Sequence, residues 1–182
     1  RERRQYYRSL QGAFTADQFG FWNLALVPHL LGVAKDIPAH SFVAVYQAKV
    51  KEARLDGIFH LPLRFCFPRV ISRSGQMEFR LVEDPLHGKF KEGPFGIFEP
   101  TLEHRVVEKN EIHSCFVPLL SFDAQGRRLG QGMGFYDRFL EGFGGRRIGV
   151  GFEWQFSPTP LPVEECDQLL HLAITEHGIR RF

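Results

Sequence analysis

The chain has 182 residues, is 43% hydrophobic and carries a formal net charge of +2. That length suits one domain over residues 1–182 with a substantial core, and the balanced charge argues against a general nucleic-acid surface. Cys66, Cys115 and Cys166 are odd in number and far apart, which excludes a disulfide framework or a paired metal motif.

Residues 1–10 suit a helix bearing Arg1, Arg3, Arg4 and Arg8. Thr15 and Gln18 have the spacing of a capping box and open a second helix to about Leu31, closed by Gly32. The apolar run at 41–48 predicts a strand, with a short helix at 51–61 after it. A second strand is expected at 64–70, a turn at Ser74 and Gly75, and a further strand at 77–82. Residues 83–100 are rich in Pro and Gly and predict an irregular loop. An unbroken apolar segment at 115–122 predicts a buried strand containing Cys115; Cys66 also sits in an apolar run, and both thiols are expected to be buried. A glycine loop, a helix over 135–142, a strand at 147–152, a proline-rich link at 154–162 and a last strand at 169–174 follow.

Helices between apolar strands predict an α/β fold in three layers, a mostly parallel central sheet with helices on both faces. Ligands of such sheets bind beyond the carboxyl ends of the strands, so Gln47, Glu52, Arg69 and the glycine loop are expected to converge. No segment is long and apolar enough to span a bilayer and no signal peptide is visible, so a cytoplasmic protein without membrane partners is expected.

The run VPLLSFDAQGRRLGQGMGFYDRFL, residues 117–140, carries the most chemistry. Gly130, Gly132 and Gly134 stand at alternate positions, with Arg127 and Arg128 before them and Arg138 after. Glycines let successive backbone N–H groups face one anion at close range, and arginine forks match phosphate oxygens. A following helix start adds free N–H donors, and Asp137 in its first turn is placed to hold a magnesium ion bridging phosphates. The plainer alternative is a glycine-rich turn with an ordinary first-turn acid. No Gly-Lys-Ser/Thr follows, and the spacing is not that of a dinucleotide fingerprint.

RLGQGMGFYDRFL, preceded by VPLLSFDAQG, resembles the signature of the 5-formyltetrahydrofolate cyclo-ligase (methenyltetrahydrofolate synthetase) family. FPRV at 67–70, MEF at 77–79, FGIFEP at 95–100, LPVEECDQLL at 161–170 and AITEHGI at 173–179 extend the resemblance over most of the chain. It implies a Rossmann-like layered fold of the NagB/RpiA/CoA-transferase type. It also implies ATP- and Mg2+-dependent closure of 5-formyltetrahydrofolate, with or without a polyglutamate tail, to 5,10-methenyltetrahydrofolate with release of ADP and phosphate. A monomer is expected.

On this resemblance the ATP site comprises Arg4, Arg128, Leu129, Gly130, Gln131, Gly132, Met133, Gly134, Phe135 and Tyr136. Glu52, Tyr136 and Arg128 are the expected catalytic residues, and Gln47, Glu52, Phe95, Gln131 and Phe135 the folate contacts. Asp137 and Asp167 are the expected metal ligands. Read as bare residues, Glu52 is a solvated charge, Asp167 a turn cap and Phe95 core packing. Gln131 stands where many members carry Arg, and Phe135 where many carry Tyr; a missing guanidinium beside phosphates weakens binding by roughly 1.5–3 kcal/mol. The alternative function is a non-catalytic nucleotide- or folate-binding module on the same fold; a phosphosugar or CoA-handling enzyme is a third reading.

Overall fold

A computed structural model describes residues 2–72, 75–164 and 167–182. Arg1, Ser74 and Cys166 lie outside the described residues, so the helix start at Arg1 and the turn at Ser74 are described only from their neighbours.

Two helices open the chain, α1 (Glu2–Ala13) and α2 (Ala16–Ala34). Thr15 caps α2 by accepting from the Gln18 N–H, and the Gln18 side chain accepts from the Thr15 N–H (2.8 Å), so the capping box forms as the spacing predicts. Gly32 does not close α2. The helix runs on through Val33 and Ala34, both buried, because their packing outweighs the weak helix propensity of one glycine.

The main sheet has eight strands: β1 (Phe42–Ala44), β2 (Arg64–Val70), β3 (Met77–Leu81), β6 (Val106–Val107), β7 (Ile112–Pro118), β10 (Arg146–Val150), β12 (Leu172–Thr175) and β13 (Gly178–Arg181). Their order is β13-β12-β10-β7-β1-β2-β3-β6. The pairs β12/β10, β10/β7, β7/β1 and β1/β2 are parallel, and only the flanking β13, β3 and β6 pair antiparallel. Alternate side chains enter opposite layers, as the period of two demands. Val43, Val45, Phe65, Phe67, Phe116, Ile148 and Val150 pack with Leu26, Leu30 and Val33 of α2. Ala44, Cys66, Cys115, Val117 and Ala173 pack on the other face with Phe139 and Leu140 of α3 (Phe135–Leu140). The three-layer, mostly parallel expectation holds. Burial pushes both thiols, Cys66 and Cys115, up to about 12.

Several local expectations give way. The strand expected over 41–48 stops at Ala44. The chain turns instead, pinned by the Tyr46 hydroxyl donating to the Ala53 carbonyl at 2.6 Å. Lys51 has φ +69, which interrupts helical geometry, so the helix expected at 51–61 reduces to one 3-10 turn, Asp56–Ile58. Residues 83–100 are not wholly irregular, because β4 (Phe90–Glu92) and β5 (Phe98–Pro100) form a small hairpin. The apolar run 115–122 is two strands: β7 ends at Pro118, and β8 (Ser121–Asp123) joins β9 (Arg128–Leu129) and β11 (Phe156–Ser157) in a second sheet. The Gln155 amide donates to the Leu119 and Leu120 carbonyls at 2.7 and 3.2 Å, satisfying the backbone at that break. Among the described residues no helix is long and apolar enough to cross a membrane.

Candidate functional site

Beyond the carboxyl ends of β1, β2 and β7 lies a cleft of about 1360 Å³. The glycine loop forms one wall, and the segment after β1 together with the β4–β5 hairpin forms another. Gln47, Glu52, Phe95, Arg4, Arg128, Asp137 and Asp167 all line it, as do Leu129, Gly130, Gln131, Gly132, Met133, Gly134, Phe135 and Tyr136. Every residue assigned to the site on the family resemblance therefore reaches one space. Arg69 does not: it is absent from the lining, and its guanidinium donates to the Pro100 carbonyl at 2.9 Å, bracing the hairpin.

The loop is shaped locally by its glycines and held from outside by α1. Gly132 and Gly134 have φ +97 and +67, the left-handed region where a Cβ is strained. Arg4 donates to the Gly130 carbonyl at 3.1 Å, and Arg8 to the Gln131 carbonyl at 2.9 Å and to its side-chain oxygen at 3.2 Å. Gln131 thus lacks a guanidinium of its own but holds that of Arg8 beside it. Arg138 donates to the carbonyls of Gly75 and Met133. Helix α3 is only six residues long, so its dipole adds little, and the donors this wall can offer an anion are the loop N–H groups and the arginines. Arg127 faces Asp123 rather than the cleft, and Arg147 bonds to the Leu169 and Phe143 carbonyls, so these two arginines of the patch serve structure.

Arg128 is an enclosed cation, with its side chain 3% exposed. It pairs with the Asp137 carboxylate, lies 5.9 Å from the Tyr136 ring centre, and keeps a buried Nε–H with no partner among the described residues. An orphaned guanidinium donor at the wall of a cleft suits an arriving anionic oxygen. Burial raises the Tyr136 phenol well above its usual range, with Arg128 opposing weakly, so it stays protonated and a donor.

Across the cleft, Glu52 accepts from the Lys49 N–H at 2.9 Å. Burial raises its carboxyl above the ordinary value, against the opposing Lys49 contacts. It is a partly buried wall carboxyl rather than a freely solvated charge. Lys51 points the other way, donating to the Phe14 carbonyl at 3.1 Å and to those of Gln11 and Gly12 at 3.4 Å, which covers the end of α1. Helix α1 therefore ties the glycine loop to the Glu52 turn. Phe95 is not core packing: it is 49% exposed, adopts φ +69, and meets the Phe135 ring edge-on at 5.8 Å.

Asp167 accepts from the Glu164 N–H at 2.8 Å, the turn-cap role open to it from sequence, while still lining the cleft. Among the described residues no cluster of three or more His, Cys, Asp or Glu side chains is arranged to hold a metal. Two hard carboxylates in one cleft nonetheless suit magnesium, which takes one or two carboxylates and completes its shell with phosphate and water. Tyr46 and Lys49 escape sequence reasoning, since their roles arise only where the chain leaves β1.

The sequence profile of the 5-formyltetrahydrofolate cyclo-ligase family matches residues 33–176. The chain belongs to that family. The 5-formyltetrahydrofolate cyclo-ligase of Haemophilus influenzae is 42% identical over 80 residues, a match spanning 42% of this chain and 43% of that relative. The 5,10-methenyltetrahydrofolate synthetase structure from Aquifex aeolicus superposes with a TM-score of 0.82 at 23% identity, over 99% of this chain and 91% of that one. The Mycoplasma pneumoniae 5,10-methenyltetrahydrofolate synthetase gives 0.75 at 20% identity, over 95% and 96%. At those identities the superpositions establish the fold.

Proposed function

We propose that this protein converts 5-formyltetrahydrofolate to 5,10-methenyltetrahydrofolate, consuming ATP and releasing ADP and phosphate, as a cytoplasmic monomer. The observation that carries this is one cleft joining an arginine-held glycine loop to a wall of Glu52, Gln47 and Phe95. Family membership supports the same substrate.

A formamide carbon is a poor electrophile, and its oxygen a poor leaving group. Passing the γ-phosphoryl group to the formyl oxygen breaks the bond to ADP and turns that oxygen into a phosphate ester on an iminium-like carbon. N10 then attacks the carbon and loses its proton, and phosphate departs with the C–O electron pair. The residues have mainly to align the two ligands and offset charge. Arg128 donates its orphaned Nε–H to phosphoryl oxygens, and Arg4 and the backbone from Leu129 to Gly134 cradle the polyphosphate. Asp137 and Asp167 would hold a magnesium ion, which would supply further positive charge at the polyphosphate. The Tyr136 hydroxyl, kept protonated by burial, donates to the transferring group. Glu52 accepts the adjacent N–H donors of the pterin edge, with Gln47, Phe95, Phe135 and Gln131 around the ring and the bound tail.

The direct test follows methenyltetrahydrofolate by its near-ultraviolet absorbance after mixing protein, Mg-ATP and 5-formyltetrahydrofolate. ATP-dependent product is expected. ATP binding without product would favour the non-catalytic module, a reading to which the closed Arg128–Asp137 pair lends its weight.

A further inference from the structure

A second cleft, of about 870 Å³, opens at the other end of the sheet, where β7 and β10 begin. Strand β7 runs from Ile112 in its lining to Pro118 in that of the first cleft, so about 20 Å of strand separates the two. Lys109, His113 and Arg146 stand in its walls. Arg146 is half-buried, yet its guanidinium makes no hydrogen bond or ion pair with any described residue. Lys109 donates to the Glu141 carbonyl at 2.9 Å, which leaves two ammonium donors available. The His113 ring is fixed by Nδ1 against the Ser114 hydroxyl at 2.8 Å, with Nε2 as its other polar atom. Gly145 brings the loop after α3 against β7: a Cβ there would lie 2.6 Å from the His113 carbonyl oxygen, so this contact admits only glycine. Glu108 is the acid of the lining, and its carboxylate already accepts the Glu111 N–H.

A half-buried guanidinium without a counter-ion is disfavoured unless something from solution completes it. Fork-shaped N–H donors, an ammonium and an imidazole in one concavity match the oxygens of a phosphate group, and the cations outnumber the acid. Burial lowers the His171 imidazole, just before β12, below its ordinary value, and Arg147 and Arg146 lower it further; positive charge at this end of the sheet is not fully offset. We propose that this second cleft binds a phosphate group, as free phosphate or as the phosphoryl end of a small molecule, with Arg146 as its principal donor and Lys109 and His113 beside it. The site lies apart from the glycine-loop cleft and does not depend on the folate reading.

The imidazole of His113 gives a local readout. Its NMR signals, identified by their loss in His113→Gln, are followed as inorganic phosphate, or separately ribose 5-phosphate, replaces chloride at constant pH and ionic strength. A saturable shift is expected, with affinity about tenfold or more weaker in Arg146→Gln. The Arg146 guanidinium bonds to no described residue, so this variant should melt near the wild-type temperature. Asn110→Asp places a carboxylate at an exposed position of the lining and should weaken the same binding, which keeps the test decisive should Arg146→Gln fail to fold. Tighter binding of ribose 5-phosphate than of phosphate supports the site and identifies a phosphorylated small molecule as its ligand, and equal affinity supports it with free phosphate. No saturable shift with either, or a shift equal in wild type and the folded variants, overturns the proposal.

Discussion

The Arg128–Asp137 pair can be weighed by a double-mutant cycle. Its two side chains are 3% and 23% exposed, so the pair is neither a surface contact nor fully enclosed. Exposed ion pairs contribute about 0.2–1 kcal/mol, whereas removing one partner of a buried pair costs about 3–5 kcal/mol. The partial exposure of Asp137 places the coupling between these limits, at about 2 kcal/mol. Arg128→Met, Asp137→Asn and the double variant, unfolded in urea without ligands, give that coupling as the departure from additivity. Arg128→Met and Asp137→Asn should each lower stability by at least that coupling, because each leaves the other charge without its partner. Asp137→Asn should in addition lose turnover by about a hundredfold or more, as expected for loss of charge stabilisation at a transferring group. A coupling under about 0.5 kcal/mol would refute the enclosed-pair account, and near-normal turnover in Asp137→Asn would remove the metal assignment.

Other expectations follow from single observations. Burial raises the folded-state pKa of Glu52 above 4.5, so its neutral form favours folding at low pH and stability declines as pH rises from about 4.5 through the raised value. Glu52→Gln should flatten that slope in thermal melts and raise the folate KM; an unchanged slope contradicts its burial, and an unchanged KM its ligand role. Gly132→Ala forces an L-residue to φ +97 beside Arg4, a strain of roughly 1–2 kcal/mol that should raise the ATP KM about tenfold while sparing folate affinity. Equal ATP KM values would mean that the loop holds no phosphate. Thr15→Ala removes the cap of α2 at about 1 kcal/mol and should lower the melting temperature by about 2–4 °C without altering either KM.

The layered sheet is legible in the sequence because strand periodicity is local: Val43, Phe65, Phe116 and Ile148 declare one face, and Ala44, Cys66 and Cys115 the other. The capping box at Thr15 and the glycine loop are equally local, set by spacings of a few residues. The family resemblance brings Glu52, Asp137 and Phe95 into view without geometry. What sequence misses are places where a distant contact overrides local preference. Gly32 stays helical because Val33 and Ala34 are buried, and residues 51–61 stay unwound because Tyr46 and Lys49 bond into the segment at Ala53 and Glu52 while Lys51 reaches back to the end of α1.

The same division runs through the site. Sequence by itself determined the residue types around the glycines, the mostly parallel layered sheet and the end of the sheet where the cleft opens. Tertiary structure alone decided which arginines serve: Arg4 and Arg8 cross from α1 to the loop, Arg128 pairs with Asp137, and Arg127 and Arg147 turn to structural partners. It also decided that Glu99, in a stretch that reads as loop, becomes a buried carboxyl of the cleft. Charge and shape are written residue by residue, but burial and pairing depend on segments more than a hundred residues apart, such as Arg4 and Gly130, and exist only once the chain has closed on itself.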